Sequence, residues 1–393
     1  MRVLHLGKFY PPFAGGIERF SADLIGGLAR RGLAQAALVH ATPGQPRSTR
    51  EWIEHDKVRL RETPCSGRVL FAPISPRWPL DFRRLQRDFR PDLLHIHAPN
   101  PSAFWLLGMP AARRLPWIVQ WHADVPDDAL HRGVRLAYPA YRQFEHRLLK
   151  RAARIVPTTD SYLEASRPLQ AFRDRCHVIP LAIDRDDAST AANTAPVWPG
   201  NGLKLLAVGR LSYYKGFDVL LEALAACPVV SLLLVGEGER RGELEKQITR
   251  LGLGDRVRLT GQLDDAQLHA AYRDCDAFCL PSLDRSEAFG LVLLEAMRAG
   301  KPVVSSAVPG SGMCEVVVDG ETGLQVSAGN AERLAAALQQ LSHDPPLRHR
   351  LGENGRRRWA LEYCLERVSA QWASLYQQVL DQSARDLQTA VRQ

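Results

Sequence analysis

The chain has 393 residues, 45% of them hydrophobic and 24% charged. That is length enough for two domains of ordinary size, and apolar content enough for a core in each. No run of about 18 uncharged apolar residues occurs, so no membrane span is expected. Seven cysteines without a C-x-x-C pair do not suit a disulfide framework and point to reduced, mostly buried thiols in a cytoplasmic setting.

The net charge of +8 is unevenly placed. Residues 1–182 hold 28 Lys/Arg against 16 Asp/Glu, and residues 183–393 hold 23 against 27. A basic half joined to a slightly acidic half suggests that the first half meets an anionic partner, whether anionic lipid, a lipid diphosphate or nucleic acid.

The first strand reads as Val3–Leu6, after a single arginine, which is unlike a signal peptide. A loop, Lys8 to Glu18, follows it with two prolines and the pair Gly15-Gly16, and a helix is predicted over Ile17–Arg31. A helix N-terminus behind two glycines offers free amides and partial positive charge to a phosphate. An ordinary strand-to-helix turn explains the loop equally well. Ala36–His40 reads as the next strand. Arg77 to Arg90 places Trp78, Phe82, Leu85 and Phe89 at helical spacing among Arg83, Arg84, Arg87 and Arg90. Such a helix suits an anionic membrane surface, or its apolar stripe packs on the domain's own sheet.

Strands are then expected at Leu93–His97, Trp117–Trp121, Arg154–Thr158 and His177–Pro180, with a helix over Tyr138–Ala153. Strands alternating with helices argue for an α/β fold with a parallel sheet covered on both faces. His122 follows the strand ending at Trp121, where it can exchange a hydrogen bond with a hydroxyl near a reacting carbon. His95 and His97 end the strand before it. Three histidines raise the question of a metal. With no thiolate or carboxylate cluster beside them, no metal is expected, and at most one of the three is expected at the chemistry.

Residues 184–202 are rich in Asp, Ala, Thr, Pro and Gly without a period, and form the expected linker. The domains are expected at 1–183 and 203–370, with a last helix over 371–393. In the second domain strands are predicted at Leu203–Val208, Val229–Val235, Val257–Thr260, Ala277–Leu280 and Pro302–Ser305. Helices are predicted at Phe217–Ala226, Arg240–Leu251, Asp264–Arg273, Gly290–Ala299 and Ala331–Ser342. Ligands of open α/β sheets bind beyond the carboxyl ends of strands, and both remaining motifs lie there.

The first motif is Gly209-Arg210 with Lys215-Gly216. Arg offers a planar fork and Lys a point charge, a pair suited to two phosphates. The second runs from Glu287 to Glu295, two carboxylates around a mostly apolar block that opens a helix at Gly290. Free amides at Phe289, Gly290 and Leu291 would point at a sugar or phosphate. Carboxylates suit hydroxyls, cations suit phosphates, and a ligand with both is a nucleotide sugar.

Together these motifs resemble the family 4 glycosyltransferases, which are retaining enzymes of the GT-B fold. The likeness rests on Tyr10-Pro11-Pro12 with Gly15-Gly16, His95-Ile96-His97, Trp121-His122-Ala123-Asp124, Gly209-Arg210 with Tyr214-Lys215-Gly216, Val235 to Gly238, Glu287 to Glu295, and Asp319 to Leu324. It covers roughly residues 1–326. It implies two Rossmann-like domains with parallel sheets facing a central cleft, a metal-independent reaction, and a final helix crossing back to the first domain. It further implies Arg210 and Lys215 on the diphosphate, Glu295 on the ribose, Glu287 on the sugar, His122 near the sugar's face and Gly16 near the reaction centre. Val308 to Met313, with Ala72 to Pro76, is similar to bacterial mannosyl- and rhamnosyltransferases that use GDP-sugars on lipid-linked acceptors. Cys314-Glu315-Val316 departs from that subgroup's pattern, which leaves UDP-sugars as the main rival.

Three other classes compete. A basic binding module lacks any aromatic-rich nucleic-acid motif. An NAD-dependent dehydrogenase is disfavoured by the missing G-x-G-x-x-G after the first strand. A nucleotide-sugar epimerase would act without an acceptor.

Overall fold

The computed structural model describes all residues except 14, 43–47, 55–57, 70–71, 126–131, 185–196 and 393. Most of the expected linker therefore lies outside the described residues. Contacts divide the chain into two units. Unit 1 comprises Met1–Ala182 with Leu365–Gln393, and unit 2 comprises Ile183–Cys364.

Unit 1 contains β1 (Arg2–Leu6), β2 (Ala34–His40), β3 (Arg50–Glu54), β4 (Val58–Thr63), the small hairpin of β5 (Gly67–Val69) and β6 (Ala72–Ile74), β7 (Leu93–Ala98), β8 (Trp117–Trp121) and β9 (Arg154–Pro157). Its main sheet has the order β3-β4-β2-β1-β7-β8-β9. All neighbours are parallel except β3 with β4. The central strands are buried throughout, as strands covered on both faces must be.

Sequence reading misses β3 and β4. β3 is the edge strand and β4 its neighbour, charged residues interrupt both, and Arg59 and Arg61 pair with Glu51 across the two strands. His177–Pro180, expected as a strand, is not one. His177 and Ile179 donate amide hydrogens to β9, but no ladder forms, and Pro180 has no N–H to extend one.

Of the two readings of the apolar stripe in the basic helix, the structure shows packing on the domain's own sheet. The helix spans Trp78–Phe89, and Trp78, Phe82 and Leu85 are fully buried while the arginines at 83, 84, 87 and 90 are exposed. The stripe is core, so the helix has no apolar face left for a bilayer.

The last helix, Leu365–Arg392, packs on the first, Gly16–Arg30. Gly27 makes the approach possible: a Cβ there would lie 3.2 Å from Leu365 Cγ. Arg31 donates to Ser369 Oγ at 3.0 Å. Trp372 and Tyr376 are buried in the same unit.

Unit 2 contains β10 (Leu203–Val208), β11 (Val230–Val235), β12 (Val257–Gly261), β13 (Ala277–Leu280), β14 (Val303–Ala307) and β15 (Gly323–Ser327). The sheet is fully parallel in the order β12-β11-β10-β13-β14-β15. Strand order reverses beside β10, between β11 and β13. Both candidate motifs of this half leave the carboxyl ends of those central strands, Gly209–Gly216 after β10 and Glu287–Glu295 after β13.

Candidate active site

Lys215 lies in a short turn, Tyr213–Lys215, that ends at Gly216. Gly216 has φ +65°, and a Cβ there would sit 2.2 Å from the Pro281 carbonyl oxygen. Only glycine lets the loop after β10 press against the loop after β13. That closeness brings Lys215 Nζ to Glu287 Oε2 at 2.5 Å, with both side chains almost wholly buried. Ser282 Oγ donates to the same carboxylate oxygen at 3.3 Å. Ser311 Oγ donates to the Glu287 backbone carbonyl and fixes the turn. Burial works most strongly against the Lys215 ammonium, but Glu287 and Tyr214 together outweigh it, and the net pKa is raised. Lys215 also sits 5.5 Å from the centre of the Tyr214 ring. Arg210 is exposed on the same loop, and its charge is felt by Lys215 as a repulsion.

Gly290 caps the helix Leu291–Arg298 in the left-handed region, φ +81°. The first amides of that helix lie outside its internal ladder. Phe289 is buried and meets Tyr363 edge-on at 6.1 Å. Glu295 is 8% exposed, not on a solvated face. The Tyr272 hydroxyl lies against its carboxylate; burial, then Glu295, push that phenol well above its ordinary pKa and keep it neutral. The structure therefore joins Lys215 to Glu287, sets Arg210 beside them, and buries Glu295 farther along the helix. Tyr272, Ser282 and Ser311 were not read from the sequence. Their only signal is tertiary, since each is an ordinary polar residue in its own segment.

In unit 1, Gly15 precedes the first helix with extended backbone, and a Cβ on it would meet the Glu18 carboxylate at 2.1 Å. Gly16 is the first helical residue. His122 is buried just past β8 and belongs to a histidine network. His5 and His95 are paired in register on β1 and β7, and His97 is paired with Gln120 on β8. His5 Nδ1 lies 3.2 Å from His97 Nε2, and His97 Nδ1 lies 3.2 Å from His122 Nε2. Register and alternation put His5, His95 and His97 on one face, and His122 joins them. His5 carries no sequence signal of its own, being one polar residue in a buried strand.

His5, His95 and His97 each bring one ring nitrogen within 4.8 Å of the others. Their nitrogens are already engaged with Gln35, Gln120, Tyr376 and one another, so the cluster is a hydrogen-bond network in this structure. Burial, then Lys8, push His122 down to about 3; burial pushes His5 down to about 4. Both are neutral near pH 7.

The two sheets, the switch of strand order and the cation–carboxylate turn define the class, a GT-B glycosyltransferase. The chain belongs to the glycosyltransferases of family 4: residues 15–182 match a "Glycosyl transferase 4-like domain" and residues 191–358 match "Glycosyl transferases group 1". Among its relatives, the O-antigen chain mannosyltransferase C of Escherichia coli is 28% identical over 97% of this chain and 99% of its own length. The D-rhamnosyltransferase WbpZ of Pseudomonas aeruginosa is 32% identical over 91% of each chain. A sucrose-phosphate synthase from Thermosynechococcus elongatus shares the fold, with a TM-score of 0.79, 24% identity, and coverage of 97% of this chain and 99% of the other.

Proposed function

We propose that this glycosyltransferase of bacterial surface polysaccharide biosynthesis moves a mannose- or rhamnose-type hexose from a GDP-sugar to a lipid-linked or growing glycan. The buried Lys215–Glu287 pair carries the reading. A lysine held charged out of water is a preorganised partner for the charge that grows on a departing diphosphate. Arg210 adds a second cation at the exposed end of the same loop. Glu287 takes the sugar hydroxyls, Glu295 the ribose diol, and the amides of Phe289, Gly290 and Leu291 approach the phosphates. Gly15 and Gly16 contribute backbone to the donor near the reaction centre, and His122 lies near the sugar's face.

The acceptor hydroxyl forms the new bond to the anomeric carbon as the carbon–phosphate oxygen bond breaks on the same face. The acceptor proton passes to the leaving phosphate, and the configuration is retained. No metal or other cofactor is assigned a role. The mannosyl and rhamnosyl relatives support the GDP-sugar, with UDP-sugars as the alternative donors. No described helix is long and apolar enough to cross a membrane. The basic unit 1 supports a peripheral position on the anionic inner face of the cytoplasmic membrane, reached through its arginines.

The test is product formation from GDP-mannose and a polyprenyl-diphosphate-linked glycan in EDTA. A product with the donor's anomeric configuration is expected. GDP release without glycan growth, or an inverted product, would overturn the reading. A thermal-shift panel of GDP-, UDP- and ADP-sugars decides the base.

A further inference from the structure

Unit 1 hides its aromatic side chains, with two exceptions. Among its described residues only Trp105 and Phe144 are exposed aromatic rings, at 56% and 44%. Trp105 lies in the 3-10 helix Pro101–Gly108 and Phe144 in the helix Arg132–Arg151, and the two segments pack on each other. Phe104 joins them: its half-buried ring lies 5.2 Å from Tyr141 and 5.7 Å from Phe144 between centroids. Leu148 and Leu149 turn inwards and supply the packing of the long helix, so Phe144 is left at the edge of the buried stripe. The rings form a ledge on the surface, and an exposed apolar patch with a charged rim marks an interaction site.

The rim is cationic. Arg147 lies over the Phe144 ring, its Cζ 5.8 Å from the centroid, and Lys150 is exposed one turn farther on. Arg113 and Arg114 are exposed in the segment after Gly108, and Arg151 donates to the Arg113 carbonyl, which ties that segment to the end of the long helix. None of Arg113, Arg114, Arg147 and Lys150 forms an ion pair among the described residues. At the sheet edge of the same unit the opposite holds, where Glu51 neutralises Arg59 and Arg61.

We infer that this ledge is the surface through which unit 1 rests on a bilayer containing anionic lipid, with Trp105 and Phe144 at the depth of the headgroups. The inference rests on the peripheral position proposed above and adds the surface that makes the contact. Amphipathic aromatic rings favour the membrane–water interface. Lysine and arginine beside them are drawn to an anionic leaflet. The helix Trp78–Phe89 has exposed arginines but has spent its apolar stripe on the core, whereas the ledge offers charge and exposed rings together.

The test is co-sedimentation of the full chain with equimolar phosphatidylglycerol–phosphatidylcholine vesicles, read alongside quenching of tryptophan fluorescence by brominated acyl chains. The wild type is expected to bind, to be quenched, and to be released by high salt. Trp105→Phe keeps a ring and should bind like the wild type yet lose most of the quenching, because the seven other tryptophans are buried or half-buried. Trp105→Ala with Phe144→Ala should weaken binding on the order of tenfold and leave the thermal transition little changed, since both rings already meet water. Arg147→Gln with Lys150→Gln should weaken it by a similar factor through charge. Unchanged quenching in Trp105→Phe, wild-type binding in either double variant, or equal binding to pure phosphatidylcholine would overturn the inference. So would tighter binding of generic DNA that both double variants abolish, which would make the ledge a nucleic-acid surface. A wild type that binds no vesicle would strike the proposed membrane position itself. A wild type that binds through other residues would leave that position standing and remove the ledge alone.

Discussion

The two units bury polar groups in opposite ways. Unit 1 buries neutral imidazoles in a chain of hydrogen bonds, and unit 2 buries a charged lysine against a glutamate. A neutral network loses little on leaving water provided every donor finds an acceptor. A buried ion pair is weak as a source of stability, and breaking one partner is severe. Unit 1 thus orders neutral imidazoles against one another, and unit 2 keeps a charged pair out of water.

Acid should separate the two most sharply. His5, His40 and His122 are pushed down to about 4, 4 and 3, and His95 and His97 well below the ordinary value, each first by burial. The unfolded chain binds these protons below pH 6.5 and the folded unit does not. Stability is therefore full above pH 6.5 and falls as the pH drops from there towards about 4. Each imidazole contributes up to about 1.4 kcal/mol per pH unit in that window. Glu145, pushed up to about 7 by burial and then Asp124, acts the other way between pH 4.5 and 7, and Glu62, raised by burial against Arg50, acts with it, as two carboxyls against five imidazoles. Calorimetry from pH 7 to 4.5 should show the transition of unit 1 falling first. A transition of unit 2 that falls earlier would break the contrast.

Lys215→Ala is next in size. It strands the Glu287 carboxylate, and should destabilise unit 2 by about 3–5 kcal/mol in urea and lower kcat/KM about a hundredfold to a thousandfold. Lys215→Met with Glu287→Gln removes both charges and should recover stability without recovering activity. Recovery of both would remove the catalytic meaning of the pair.

Gly290→Ala forces a side chain into left-handed backbone, where its Cβ would meet Leu293 Cδ1 at 2.7 Å. A loss of about 1–2 kcal/mol is expected from the backbone alone, with a weaker apparent affinity for the donor. The smallest effect belongs to the surface of unit 1. Arg83→Gln with Arg84→Gln should change stability by no more than about 0.5 kcal/mol, yet reduce binding to anionic vesicles if the basic face meets a membrane. Unchanged vesicle binding at low salt would remove these two arginines from that contact.

The contrast also separates what local sequence carries from what it does not. Most parallel strands are legible because a strand buried on both faces is a continuous apolar run, as in Leu232-Leu233-Leu234 of β11. The edge strand β3 and its neighbour β4 are harder, because charged residues interrupt both and the apolar signal is thin. Trp78, Phe82 and Leu85 have a helical period that fits a bilayer and a core equally; only the surrounding sheet decides. Lys215 stands out beside Gly216 and Glu287 stands out before an apolar block, each in a loop after a strand, though their contact spans 72 positions. His5 does not stand out, since its partners lie 30 and 92 positions away and meet it only through strand register.

The most direct test is isothermal titration of GDP into the metal-free protein, with Arg210→Ala and Lys215→Ala alongside. The wild type should bind, and each variant should bind at least about tenfold more weakly, the loss of about 1.4 kcal/mol expected for one charge-assisted contact. Wild-type affinity retained in both variants would contradict the assignment of the diphosphate to this turn.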